Sequence, residues 1–265
     1  MLPLESSLAQ TGLLESSNRS ELGIEMTKAS FSGETELSFT TSVITLQGQA
    51  KLPNGFYLVG EIPISTLDAG GGRNYDAQTV LGNPYLGARY EREGSSPVFI
   101  LGFRPSIISE ENDNEEAMLI GSYTEFQKIE SFFQKVTTVS FLGGYKYVSS
   151  EKFGVRFLLG STIWLPSESY YDPEVFADGR VELIFTPERF NIGFGIGSKT
   201  LLTEDELDFS QANYQYFRFT MGYELGQVTP GLHFTVPMDE DYILGFKQSV
   251  NHTWGVDVRV ALDKP

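Results

Sequence analysis

The chain offers little that could carry covalent chemistry. It has no cysteine, which excludes a disulfide scaffold, thiolate catalysis and zinc–thiolate sites. Its two histidines, His233 and His252, fall in neighbouring C-terminal β-segments, and both are assigned to the polar face. A Ser–His hydrolase would need a positioned nucleophile beside one of them, and no Gly-x-Ser-x-Gly elbow or other nucleophile signature is present. Both histidines read instead as satisfied interior groups. Gly193-Phe194-Gly195-Ile196-Gly197-Ser198-Lys199-Thr200 invites comparison with a phosphate loop. Its Gly and Lys are not adjacent as such a loop requires, and no helix follows. The glycines recur at period two, which places them on one face of a strand. Glu111-Asn112-Asp113-Asn114-Glu115-Glu116 is rich in oxygen but lacks the glycine and spacing of a calcium-binding EF loop. The Asn-x-Ser/Thr matches at Asn18 and Asn251 read as chance. No catalytic residue, metal site or cofactor is assigned.

What remains is a set of charged and tyrosine residues that alternate with large apolar ones: Tyr57, Glu61, Tyr85, Arg89, Glu91, Arg104, Lys146, Arg156, Arg218, Glu224, His233, Asp257 and Arg259, with Arg180 or Glu182, Tyr214 and Tyr216. In the last segment Trp254, Val256, Val258, Val260 and Leu262 share one parity, and Gly255, Asp257, Arg259 and Ala261 the other. Phe190, Ile192, Phe194 and Ile196 alternate with Asn191, Gly193, Gly195 and Gly197. Charges interleaved in this way cannot sit in a sandwich core without a heavy desolvation cost. They face water outside a soluble sandwich, or they line a polar lumen inside a membrane barrel. In a lumen, both signs together make either a cross-lumen salt-bridge network or a narrow passage for amphipathic or aromatic solutes.

The elements that position these residues favour the lumen. Many runs are about 10–16 residues long, against five or six for an ordinary strand, and tilted membrane strands need about nine or more. Short turns at Leu52–Gly55, Glu93–Ser96, Ser149–Glu151, Thr186–Glu188 and Leu225–Gln227 alternate with long polar loops near 66–78, 108–134, 165–177, 200–210 and 238–249. A sheet tight at one rim and loopy at the other is the pattern of an up-and-down transmembrane barrel. About twelve strands are predicted, near 22–31, 35–51, 55–65, 79–92, 97–107, 135–148, 152–165, 178–186, 189–199, 211–225, 227–237 and 250–262. An even number puts both ends of the barrel chain on the short-turn side. In the second strand Ile44, Leu46 and Ala50 share a parity that Leu37 and Phe39 break, which calls for a bulge or an inward-facing apolar pair. Phe56, Tyr90, Tyr147, Phe153, Phe185, Phe190 and Tyr223 cluster beside the short turns, as an interfacial girdle would. Residues 116–133 place Leu119, Tyr123, Phe126, Ile129 (or Glu130) and Phe133 at helical spacing, which predicts an amphipathic helix on the membrane rim or over the pore mouth. Residues 1–21 are read as a periplasmic tail, disordered or forming a small plug, ahead of a barrel over 22–265.

Composition agrees with an all-β chain. Hydrophobic residues make up 40%, and no stretch approaches the 18 apolar residues of a membrane helix. A barrel passes this test unseen because each strand is apolar only at alternate positions. The net charge of −16 argues against nucleic acid and against attraction to anionic membrane surfaces. Much of the acid lies in long loops, including Glu110–Glu116, Glu204–Asp208 and Asp239–Asp241. These runs read as solvated loop surface, or as sites for divalent-cation bridging to lipopolysaccharide. The first 20 residues lack a basic start and an apolar core, so an exported protein would be read here in trimmed form.

The stretch Leu52-Pro53-Asn54-Gly55-Phe56-Tyr57-Leu58-Val59-Gly60-Glu61-Ile62-Pro63-Ile64, then Asp68–Gly72, then Leu81-Gly82-Asn83-Pro84-Tyr85-Leu86-Gly87-Ala88-Arg89-Tyr90, resembles Gram-negative outer-membrane transporters of the phenol-degradation (MetA-like) type. The resemblance covers about 40 residues well and the remainder only as a strand pattern. It implies an outer-membrane location and uptake of small hydrophobic compounds. The chain departs from the simplest barrel pattern in its long insertion at 108–134 and in ending Leu262-Asp263-Lys264-Pro265 without a terminal aromatic. The expected protein is a closed antiparallel barrel acting as a channel for small amphipathic or hydrophobic solutes. Its expected partners are outer-membrane lipid and lipopolysaccharide, the solute, and the barrel-assembly machinery, with the barrel monomeric. Rival readings are a non-conducting surface anchor or adhesin, a soluble all-β binding protein, and a lipid hydrolase. Lipid-cleaving barrels carry Ser and His on the lipid-facing side, which the parity assigned to the histidines does not match.

Overall fold

Alternating apolar and polar residues produce long strands throughout. A computed structural model describes residues 19–31, 41–68, 77–108, 114–150, 152–167, 172–203, 212–238 and 250–262. The strands are β1 (Glu21–Phe31), β2 (Ser42–Lys51), β3 (Phe56–Leu67), β4 (Gln78–Leu81), β5 (Tyr85–Glu91), β6 (Ser96–Arg104), β7 (Val136–Ser150), β8 (Phe153–Pro166), β9 (Glu174–Phe185), β10 (Phe190–Leu201), β11 (Asn213–Tyr223), β12 (Val228–Pro237) and β13 (Val250–Ala261). Each pairs antiparallel with its neighbours, and β1 pairs with both β2 and β13, in register from Glu21↔Ala261. That closes the sheet into a barrel of twelve staves, with one extra strand. The ends of β1 and β13 meet at the short-turn rim.

The predicted strand 79–92 is divided. Its upper part, β4, pairs with Ile64–Leu67, and its lower part, β5, pairs with Phe56–Glu61 of the same strand β3. Gly82, Asn83 and Pro84 interrupt the stave between them. The Pro cannot donate to a ladder, and the interruption frees Asn83 for the contacts described below. The predicted parity break at Leu37 and Phe39 lies outside the described residues, as does most of the N-terminal tail.

The outer face is apolar. Ile24, Leu46, Leu58, Leu86, Leu101, Phe157, Leu183, Phe194, Val256 and Val258 are all exposed. Such a belt has no place on a water-soluble surface and matches the lipid-facing band of a membrane barrel. At the short-turn rim Phe56, Tyr147, Phe153, Phe185 and Phe190 are exposed. Phe56 meets Tyr90 at 5.0 Å, and Phe190 meets Tyr223 at 4.8 Å between ring centroids, completing the girdle.

His252 requires correction. Its parity is that of Trp254, and its ring packs on outward-facing Phe234 at 4.9 Å. It therefore lies on the outer wall, whereas His233 is buried inside. The helix prediction is also corrected. Residues Glu115–Thr124 form a helix, α1, and Phe126–Phe132 a 3-10 turn with a kink at Lys128. Leu119, assigned to the apolar stripe, is exposed, while Ala117 and Met118 are buried. The segment does not lie on the membrane rim and is nearer the other expected position, over the pore mouth. It folds into the barrel, so its buried face follows the surrounding wall and not a single helical stripe.

Candidate functional site in the barrel lumen

Two apolar clusters seat the inward segment. On one side Phe126 and Ile129 pack with Trp164, Phe176, Leu201, Tyr214 and Val250. On the other, Ala117, Met118 and Phe132 pack with Val43, Leu67, Val80 and Ile108. Gly82 permits the close approach, because a Cβ there would run into the Ser131 carbonyl and the Phe132 ring. Asn83 then ties the segment to the interrupted stave. Its Nδ2 donates to the carbonyls of Glu130 (3.1 Å) and Phe133 (2.7 Å), and its Oδ1 accepts from the Ile107 amide (2.8 Å). Its own amide donates to the Ser131 carbonyl at 2.7 Å.

The innermost turn carries polar groups onto opposite walls. Lys128 Nζ donates to Glu61 at 3.2 Å and lies 3.6 Å from Glu125. Glu130 accepts from Lys199 Nζ at 3.2 Å. Gln127 donates to Thr235 and accepts from Arg218, both at 3.1 Å. Burial pulls the Lys128 ammonium down, yet Glu61 and Glu125 more than offset it and hold it above the usual lysine range. Burial pushes the Glu130 carboxyl up, but Lys199 and Arg104 hold it below the usual carboxylate range.

Below the segment, nearer the short turns, the interior is a charge network. Glu91 accepts from Lys146 and faces Arg156 at 3.6 Å and Arg89 at 4.0 Å, and Arg156 also pairs with Glu182. Arg89 donates to Gln49 and sits 4.3 Å over the Tyr57 ring. Arg104 reaches Glu61 at 3.4 Å and the Asn83 carbonyl at 2.6 Å, and lies over Tyr85 at 5.4 Å. Arg259 pairs with Asp257 at 3.0 Å and Glu21 at 4.0 Å, and His233 lies 3.9 Å from Glu25. Glu224 sits at the rim, where it accepts from Asn191 and faces Arg19 at 3.5 Å. Arg180 and Glu182 share the interior parity of β9, so both point inward.

Several interior residues lay outside the sequence inventory. Glu25 and Lys199 are buried at positions whose parity marked them, between Ile24 and Met26 and two residues past Gly197. Lys128 and Glu130 had no strand parity to mark them. An apolar stripe of Val59, Val98, Ile100, Leu142 and Leu158, with Tyr57 and Tyr85, also lines one side of the interior. Parity alone assigns interior positions by polarity and so misses it.

No protein-family model matches this chain, and no curated protein matches its sequence. Solved structures share its fold. An outer membrane channel from Pseudomonas putida F1 (COG4313) superposes with a TM-score of 0.61 at 9% identity, covering 97% of this chain and 98% of that one. The NanC porin gives 0.58 at 8% identity over 91% of this chain and 100% of its own. LpxR from Salmonella typhimurium gives 0.57 at 9% identity over 92% and 100%. At such identities the likeness is one of fold: an outer-membrane-type β-barrel.

Proposed function

We propose that the protein is an outer-membrane channel of a Gram-negative bacterium for small amphipathic or hydrophobic solutes, in a closed conformation in which residues 115–132 stop the lumen. The observation that carries this reading is that the stopper belongs to a loop and not to the wall. Its contacts are side-chain bonds, apolar packing and a backbone bond from the Asn83 amide to Ser131, none of them part of the β-ladder, so it can leave without breaking a strand pair. The apolar stripe beside the charged wall suits a solute with one polar and one apolar side. Porin and channel neighbours of the same fold support the reading, and the sequence resemblance favours uptake of hydrophobic compounds. The dense charge network in the short-turn half favours a second reading, a non-conducting barrel that serves as a surface anchor. Conductance in planar bilayers, with and without residues 112–133, separates the two. A stable current that grows on deletion supports the channel. Silence from both well-folded forms supports the anchor.

A further inference from the structure

The outer wall is not uniformly flat. Across the outward faces of β1 to β4 runs a groove of about 370 Å3, the space of roughly a dozen methylene-sized groups at about 30 Å3 each. Met26 and Ile44, paired in register, form its apolar floor. Both are half-buried, whereas Ile24 and Leu46, their outward neighbours on the same strands, are exposed. Ser42, Thr66 and Thr79, paired rung to rung across β2, β3 and β4, form its upper edge. At that edge the groove also touches Leu67 and Gln78.

We propose that this groove holds one acyl chain of a lipopolysaccharide molecule. Its floor is continuous with the lipid-facing belt, since Met26 and Ile44 extend the outward rows of Ile24 and Leu46. Its height matches the membrane. At about 2.5 Å of height per residue of a tilted strand, Ile64, which pairs with Ile44, stands roughly 20 Å above the Phe56 girdle, and Thr66 roughly 25 Å. The apolar band of such a barrel is about 25 Å tall. The floor therefore lies inside the hydrocarbon and the hydroxyl edge at its far boundary, the order in which a lipid passes from chain to head. That boundary is on the long-loop, extracellular side, where the leaflet of a Gram-negative outer membrane is lipopolysaccharide. A recess lets the wall touch a chain on more than one side, which multiplies its dispersion contacts over those of a flat belt. Gln78 accepts from the Ala117 amide at 3.2 Å, and Leu67 packs with Ala117 and Met118, so the bound chain sits against the outer side of the seat of α1. This inference rests on the outer-membrane location in the channel reading and not on conduction.

Native mass spectrometry of the protein in detergent counts the lipids that stay bound. Protein refolded free of lipid is titrated with lipid A, the acylated anchor of lipopolysaccharide, and separately with phosphatidylethanolamine. One tightly retained lipid A per barrel is expected. Ile44→Trp and Thr79→Trp each place an indole in the groove and should lower its occupancy about tenfold at equal lipid concentration. Leu101→Trp, on the exposed outer wall of β6, should leave it unchanged. Heat-modifiable migration confirms that each variant has folded, and Thr79→Trp carries the test if Ile44→Trp has not. Equal lipid A occupancy in the parent and the folded groove variants overturns the proposal. So does retention of phosphatidylethanolamine to the same extent as lipid A, and so does a groove that retains detergent only. Specific lipid A binding in a barrel that never conducts upholds the site and overturns the channel.

Discussion

Replacing Asn83 by Ala should unseat the inward segment while leaving the barrel closed. The side chain satisfies the Glu130 and Phe133 carbonyls and the Ile107 amide, at 3.1, 2.7 and 2.8 Å. Each backbone group left buried without a partner costs about 1–3 kcal/mol. Asn83 is itself fully buried, and the two carbonyls of the segment, which are the bonds that bear on seating, together come to about 2–6 kcal/mol. At 1.4 kcal/mol per tenfold, the ratio of seated to unseated segment falls by about one to four orders of magnitude. None of these bonds belongs to the β-ladder, so heat-modifiable migration should match the parent protein. Trypsin provides the assay. Lys128 is buried and protected when the segment is seated, and in Asn83→Ala cleavage after Lys128 should appear with a rise in conductance. Asn83→Asp retains the acceptor for Ile107 but sets a carboxylate oxygen against the two carbonyls of the segment, so it should unseat the segment at least as far as Ala does. Protection of Lys128 and a current unchanged from the parent would show that Asn83 does not hold the segment.

Three further outcomes follow from the same contacts. Val256→Arg, at an exposed outer-wall position, should impair folding into bilayers by about 2–4 kcal/mol, whereas Asp257→Asn one residue away should fold as the parent does; equal defects in a refolding yield would contradict the assignment of faces. Gly102→Ala should destabilise the barrel by about 1–3 kcal/mol in urea titrations, because its Cβ meets the Tyr85 ring and Ser140, and Tyr85→Ala in the same chain should recover part of the loss. Acid should release the segment. The Glu130 carboxyl is held low by Lys199 and Arg104, so its contribution to seating is complete above the usual carboxylate range and is lost as pH falls through the lowered value. Lys128, held high, contributes below the usual lysine range and fails only as pH rises beyond it. Conductance should therefore climb at strongly acid pH, and Glu130→Gln should reduce that rise, the remainder coming from the carboxylates beside Lys128.

The barrel was legible because its signal is repeated on every strand. Trp254, Val256 and Val258 set one parity and Asp257 and Arg259 the other, and a slip of one residue would have reversed them all. His252 was misassigned because it sits near the start of β13, where only counting from Trp254 fixes its face. The lumen was legible only where it is charged. Ile100 and Leu158 face inward, and nothing in their type separates them from lipid-facing neighbours. The inward segment carried no period to read. Its buried residues answer to two walls, Phe126 to one and Phe132 to the other, so no single helical stripe describes it. Gly82-Asn83-Pro84 stood in the sequence as part of a resemblance, and its physical role emerges only from the contacts across to residues 130–133.

The two kinds of contact on that segment do different work. Phe126, Ile129 and Phe132 are nearly fully buried, and such side chains contribute about 1.5–3 kcal/mol each when taken from water. The ion pairs of Lys128 and Glu130 lie in the same dry interior, where desolvation consumes much of the attraction between charges. Net seating strength therefore comes chiefly from the apolar anchors, while the ion pairs fix the position of the innermost turn. An apolar solute would have to compete with the anchors, spread over two walls and several rings.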